Sequence, residues 1–202
     1  MRRMTAMGVA VLTAAVVGGC RTTPESGKKI AVKAEPAPKT EAPAFCVRVN
    51  CGAGEAYEDK AGNTWMADQT LFGDATWGAE GGTTVMRPVV EIPGTDCPKV
   101  YLSERFNMTS YTFQVPDGTY TLKLHFAETF DGILAAGERV FSVTVNDEMV
   151  IADLDPYEAG GGLHKPVVKT VKKVKPQDGK IVIGFKENIQ NPLINGIEIM
   201  GR

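Results

Sequence analysis

Glu128 and Asp131 are three residues apart where the pattern ends a strand, and their carboxyl groups would lie about 5–9 Å apart. That range covers the acid–base and acid–nucleophile pairs of glycoside hydrolysis. His125 sits on the polar-parity face of the same strand beside Lys123, with no serine or cysteine nucleophile pattern near it, and reads as a solvated histidine. Asp153-Leu154-Asp155 offers two carboxylates but lacks the further spaced acids and turn glycine of a calcium loop. Gly160-Gly161-Gly162 lacks the strand–loop–helix setting of a phosphate cradle. His125, His164 and the cysteines show no zinc-ligand spacing. No metal and no cofactor is therefore expected. The aromatic residues are more informative: Trp77, Phe106 and Phe130 lie in or beside stretches rich in Gly, Asp and Asn, the mixture of stacking face and polar group that holds a sugar ring. Phe106 and Phe130 would serve equally well as core, whereas Trp65 and Tyr57 are assigned to packing.

These side chains have to be positioned by strands. From Phe45 onward apolar residues recur at every second position, broken by Gly, Asn, Asp and Pro, and no 3.6-residue stripe runs for ten residues or more. Ser110–Val115 and Thr119–Ala127 flank Pro116-Asp117-Gly118 and read as a hairpin, with Tyr120, Leu122, Leu124 and Phe126 on one face. Arg139–Val145 and Glu148–Ile151 flank Asn146-Asp147 as a second, and Lys165–Val174 and Lys180–Lys186 flank Gln177-Asp178-Gly179 as a third. With Phe45–Asn50, Val100–Ser103 and Leu193–Met200 the count reaches about nine strands, an all-β jelly-roll β-sandwich. Lys165, Lys169, Lys172, Lys173 and Lys175 fit an edge strand protected against sheet-to-sheet pairing.

Charge and composition bound the rest. All 15 aromatic residues of the 202-residue chain lie at or after Phe45, so residues 1–44 cannot build a core. Residues 45–202 carry 15 basic and 21 acidic side chains, which argues against nucleic acid as a partner. Arg2 and Arg3 followed by the uncharged run Ala6–Gly19 read as a secretory signal over residues 1–19. Val17-Gly18-Gly19-Cys20 resembles a bacterial lipobox, which implies lipidation of Cys20 and a membrane attachment through that lipid. Residues 20–44, with four prolines, four lysines and three glutamates between Arg21 and Ala44, read as a tether. Arg21 in place of aspartate implies the outer membrane if the cell is Gram-negative. The expected location is thus exported and anchored to the bacterial cell envelope. Export makes a disulfide the expectation for Cys46, Cys51 and Cys97. A strand over Phe45–Asn50 would hold Cys46 and Cys51 about 16 Å apart, so Cys97 should pair with one of them.

In order along the chain come Val49-Asn50-Cys51-Gly52, Tyr57-Glu58-Asp59, Gly62-Asn63-Thr64-Trp65-Met66-Ala67-Asp68, and Tyr101-Leu102-Ser103-Glu104-Arg105-Phe106. They are followed by Gly118–Glu128, Arg139–Val143, Asp153-Leu154-Asp155 and Asn195-Gly196-Ile197-Glu198-Ile199. This succession resembles the malectin family of carbohydrate-binding domains and covers nearly all of residues 45–202. The resemblance implies a jelly-roll lectin that binds short glucose-containing oligosaccharides in a loop-built pocket without catalysis. It carries the family's aromatic positions onto Trp77, Phe106 and Phe130. Asp131 falls where a second adjacent aromatic is expected, and Gln190 or Asn191 where a carboxylate is. Phenylalanine keeps the stacking face but lacks a hydroxyl, and the amides replace an acceptor-only group. A structural or assembly lipoprotein with a protein partner in the envelope is the alternative reading, and a hydrolase using Glu128 and Asp131 a third.

Overall fold

The computed structural model describes residues 45–201. The signal, Cys20 and the tether lie outside the described residues. Twelve strands, one 3-10 turn and one short helix follow in chain order. They are β1 (Phe45–Asn50), β2 (Tyr57–Glu58), β3 (Thr64–Ala67), β4 (Trp77–Met86), the 3-10 turn Pro98–Leu102, β5 (Ser103–Gln114) and β6 (Tyr120–Phe126). Then come β7 (Val140–Val145), β8 (Glu148–Leu154), α1 (Pro156–Gly160), β9 (Val167–Val174), β10 (Lys180–Ile189), β11 (Leu193–Ile194) and β12 (Gly196–Gly201). The fold is the expected all-β jelly-roll sandwich, with about three more strands than the alternation indicated.

One sheet runs β2-β3-β1-β12-β6-β9 and the other β11-β5-β10-β7-β8, with β4 along the free edge of β5. Alternation explains the core between them. Tyr120, Leu122, Leu124 and Phe126 of β6 are all buried, and they meet Tyr111 and Phe113 of β5, Phe141 and Val143 of β7, and Ile181 and Ile183 of β10 in one apolar cluster. Burying each such side chain stabilises by roughly 1.5–3 kcal/mol before the entropy of ordering is set against it.

Two of the three expected hairpins are corrected. β5 and β6 lie in different sheets, as do β9 and β10, so Pro116-Asp117-Gly118 and Gln177-Asp178-Gly179 carry the chain across the sandwich. Alternation fixes which face of a strand is buried but not which strand it pairs with. The β7–β8 hairpin does form, turned by Asn146 and Asp147 at φ 49° and 66°, the doubly left-handed geometry that matches strand twist. The lysine-bearing β9 is indeed an edge strand. Asp155 caps α1 by accepting from Glu158 N at 3.0 Å and also takes Gly137 N at 2.5 Å, so both its oxygens serve the backbone.

The outer face of the first sheet is covered as well, which overturns the solvated reading of His125. Trp65, Ile92, Cys97, Val100, Tyr101 and Ala127 form a second apolar cluster there. His125 is 4% exposed. Its Nδ1 is 2.7 Å from the Tyr101 hydroxyl, its Nε2 is 3.1 Å from Glu198 Oε1, and Trp65 meets the ring edge-on at 5.2 Å. Burial pushes the Glu198 carboxyl up, but the His125 hydrogen bond and the charges of His125, Lys123 and Arg48 outweigh it and hold the group below the ordinary carboxylate range.

The expected disulfide is also corrected: Cys46, Cys51 and Cys97 are free thiols. Cys46 is exposed on β1, Cys51 belongs to the cluster between the sheets, and Cys97 belongs to the cluster outside them. Burial, and then the nearby Asp68 carboxylate, push the Cys51 thiol well up, which leaves it unreactive.

Candidate functional site

The end of the sandwich where β1 stops and β12 starts is tied together by buried polar groups. Asn195 accepts Ala127 N at 2.7 Å and donates to Ser103 O at 2.8 Å, while its carbonyl takes Cys51 N at 2.9 Å. Ser103 donates to Asn50 Oδ1 at 2.9 Å. Gly52 lies so close that a Cβ there would sit 2.2 Å from the carbonyl oxygen of Glu104, and its φ is +83°; only glycine fits. Asp68 takes Gly52 N at 2.7 Å, Arg105 Nε at 2.9 Å and the Tyr111 hydroxyl at 3.0 Å. Asp59 takes Trp65 Nε1 at 3.0 Å. Trp65 is thereby fixed in the packing role expected of it.

Alternation along Ser103-Glu104-Arg105-Phe106 sends Arg105 to Asp68, while Glu104 and Phe106 share the other side of β5. There they line a cavity of about 230 Å³ with Val85, Arg87, Phe130, Arg139, Gln190 and Asn191. Roughly 300–1,000 Å³ is usual for drug-sized ligands, so this volume suits a single ring. Phe106 is half-buried against the main core. Phe130 is 43% exposed, and its ring lies 5.6 Å from the Arg87 guanidinium carbon. Gly132 leaves the room it needs, since a Cβ there would be 2.4 Å from the Phe130 ring.

Two ion pairs back the cavity, whose lining includes Arg87, Glu104 and Arg139. Arg87 donates Nη2 to Glu104 Oε1 at 2.5 Å and Nε to Thr129 Oγ1 at 3.1 Å, and Thr129 Oγ1 donates to Glu104 Oε2. Arg139 donates Nε to Glu128 Oε2 at 2.6 Å and Nη1 to the Asn191 carbonyl. Glu128 Oε1 accepts Thr129 N at 3.1 Å and Phe130 N at 2.9 Å. Glu128 is fully buried, so its carboxylate organises the Thr129-Phe130 loop and does not face Asp131 across a substrate space.

Of the residues singled out from the sequence, Phe106, Phe130, Gln190 and Asn191 come together around this cavity. Asp131 is exposed beside Phe130 but does not line it. Trp77 is elsewhere. It opens β4 opposite Phe113 and stacks on that ring at 5.7 Å and 3°, seven residues along β5 from Phe106, roughly 23 Å at about 3.3 Å per residue. Arg87, Glu104, Thr129 and Arg139 were not anticipated as site residues. The parity that Glu104 shares with Phe106 was the signal available. A larger concavity of about 840 Å³, walled by Met86, Val89, Val90, Ile92, Pro93 and Leu102 among others, contains none of the anticipated residues. It is mostly apolar, whereas the smaller cavity combines aromatic faces with fixed donors.

Comparison with known proteins follows the same lines. Residues 45–199 match the Malectin domain. Malectin of Homo sapiens is 28% identical over 116 residues, which are 50% of this chain and 39% of that protein. The kinesin-like protein KIN-14E of Oryza sativa subsp. japonica is 30% identical over 161 residues, 76% of this chain and 14% of that protein. Among solved structures, the Bacteroides uniformis beta-glucuronidase superposes with a TM-score of 0.70 at 24% identity, over 78% of this chain and 18% of that one. The plant receptor-like kinase FER does so with a TM-score of 0.62 at 22% identity, over 77% and 48%. The chain therefore spans only a minor part of these relatives, and what it shares with the solved structures is the fold. With the family match running from β1 into β12, the chain belongs to the Malectin domain family.

Proposed function

We propose that the domain is a non-catalytic carbohydrate-binding module that holds one ring of a glucose-containing oligosaccharide or related glycan in the cavity between Phe106 and Phe130. The observation that carries this reading is the convergence of Phe106 from β5, Phe130 from the loop after β6, and Gln190 and Asn191 from the loop after β10 on one ring-sized cavity. Aromatic faces take the apolar side of a pyranose, and amides and guanidinium groups take its oxygens. The burial of Glu128 in an ion pair with Arg139 supports binding over glycoside hydrolysis, because that carboxylate is committed to structure.

In the same reading, residues 1–19 export the chain, Cys20 anchors it to the cell envelope through a lipid, and residues 20–44 tether a domain that displays its cavity. A second reading, an envelope assembly protein with a protein partner, draws support from the apolar concavity flanked by Met86 and Val89, which are 65% and 90% exposed. A glycan array probed with the full chain, followed by calorimetric titration of the hits, tests the first reading. Saturable binding that Phe130→Ala weakens by an order of magnitude or more is expected; an array without hits would overturn it in favour of the second.

A further inference from the structure

The polar wall of the cavity is unbalanced in a way that bears on its ligand. Each guanidinium has five N–H donors and no acceptor. Arg87 commits Nε and Nη2, and Arg139 commits Nε and Nη1. Nη1 of Arg87 and Nη2 of Arg139 meet no acceptor among the described residues. Neither nitrogen is sealed off, since His164 Nδ1 is the one unpartnered side-chain N or O atom that is fully buried among the described residues. Arg139 is 5% exposed, and both Arg87 and Arg139 line the cavity.

The carboxylate oxygens beside the cavity already carry hydrogen bonds from the protein. Both oxygens of Glu104 are taken by Arg87 and Thr129, and both of Glu128 by Arg139 and the backbone of Thr129 and Phe130. Gln190 Oε1 accepts Asn191 N at 3.1 Å. What the cavity presents is the unpaired N–H groups of two guanidinium groups, the side-chain amides of Gln190 and Asn191, and two aromatic rings. A neutral sugar hydroxyl donates as well as accepts, and a site shaped for it offers acceptors in similar number. This wall offers donors in excess, and planar guanidinium edges match a carboxylate best of all.

Resting on the saccharide reading above, we propose that the cavity selects a sugar ring bearing a carboxylate, a uronic acid residue, over its neutral counterpart. The carboxylate sits against Arg87 and Arg139 while the ring packs on Phe106 and Phe130. Because each arginine already has a carboxylate partner, the preference arises from the direction of the free N–H groups more than from net charge. It is therefore of moderate size and weakens with salt.

The test titrates the full chain with a glucuronic acid–glucose disaccharide and with the same disaccharide after reduction of its carboxyl to a hydroxymethyl group. The acid form is expected to bind about tenfold more tightly at low ionic strength, with the advantage shrinking as salt is added. Arg87→Lys keeps a cation beside Glu104 but loses the fork, and is expected to lower the ratio of the two affinities about fivefold; a purely structural role for Arg87 would leave that ratio unchanged. Equal affinities, or tighter binding of the reduced form, overturn the carboxylate preference and leave the saccharide reading standing. Binding of neither form while other glycans on the array bind does the same. An array on which no saccharide binds sinks both.

Discussion

Phe130→Ala separates a ligand platform from a core residue more sharply than any other change at this site. With 43% of the residue exposed, truncation in the free protein loses only the buried part of a side chain whose full burial contributes roughly 1.5–3 kcal/mol. The Arg87 contact at 5.6 Å adds about 0.5–1 kcal/mol at such a site, so a loss of about 1.5–2.5 kcal/mol in stability is expected. In the proposed function the exposed part is what a sugar would cover. Taking about 200 Å² for a phenylalanine, that part is roughly 85 Å², worth about 2 kcal/mol at about 25 cal/mol per Å², or near thirtyfold in affinity. Thermal or urea unfolding gives the first figure and calorimetric titration with the best glycan ligand the second. A stability loss of about 3–5 kcal/mol, the range for a core phenylalanine, or an affinity within twofold of the unchanged protein would refute the argument.

Four further outcomes are expected. Glu128→Ala leaves Arg139 buried without its partner and should cost about 3–5 kcal/mol by urea unfolding; a change under about 1 kcal/mol would show that the pair is not desolvated. Gly52→Ala places a Cβ against the Glu104 backbone at a left-handed φ and should destabilise by several kcal/mol or prevent folding, whereas Gly54→Ala, with open space around it, should be nearly neutral in the same melt. The Glu198 carboxyl is held below its ordinary range, so its contribution is fully present above the unfolded value of about 4.3 and is lost as pH falls through the lower folded value. Melting temperatures of the unchanged protein and of Glu198→Gln should therefore differ near neutrality and converge in acid, and a gap that widens on acidification would reverse the assignment. Cys20→Ala should abolish partitioning of the exported chain into detergent; a variant still in the detergent phase would remove the lipid anchor from the proposed function.

Much of the sandwich was legible because a strand with one buried face writes its period into the sequence. Tyr120, Leu122, Leu124 and Phe126 show it without exception. Pairing was less legible, since Pro116-Asp117-Gly118 and Gln177-Asp178-Gly179 turn the chain equally well within a sheet or between sheets. His125 was misread because parity says only that it faces away from Leu124. That outward face is roofed by residues between Ile92 and Leu102, a stretch with no period to announce it. Around the cavity, Phe106, Phe130, Gln190 and Asn191 were reached through the family resemblance and not through strand period, which placed Trp77 no better. The buried arginines and glutamates escaped because charged residues are ordinarily exposed, and their partners lie 17 and 11 residues away in the chain.

The pairing of β1 with β12 sets how the domain bears load. Phe45 lies opposite Gly201, and Asn50 opposite Gly196, so the two ends of the described chain leave side by side while the cavity lies past the other end of the same strands. Tension applied between Phe45 and Gly201 would peel the ladder open one hydrogen bond after another, starting at the chain ends. Tension between Phe45 and the cavity end of the sandwich runs along the strands instead, so the β1–β12 bonds resist together, in shear. Forced unfolding is governed by the barrier along the pulled direction. The β1–β12 ladder is accordingly built to yield when stretched between the two ends of the described chain and to hold when load runs from Phe45 towards the opposite end of the sandwich.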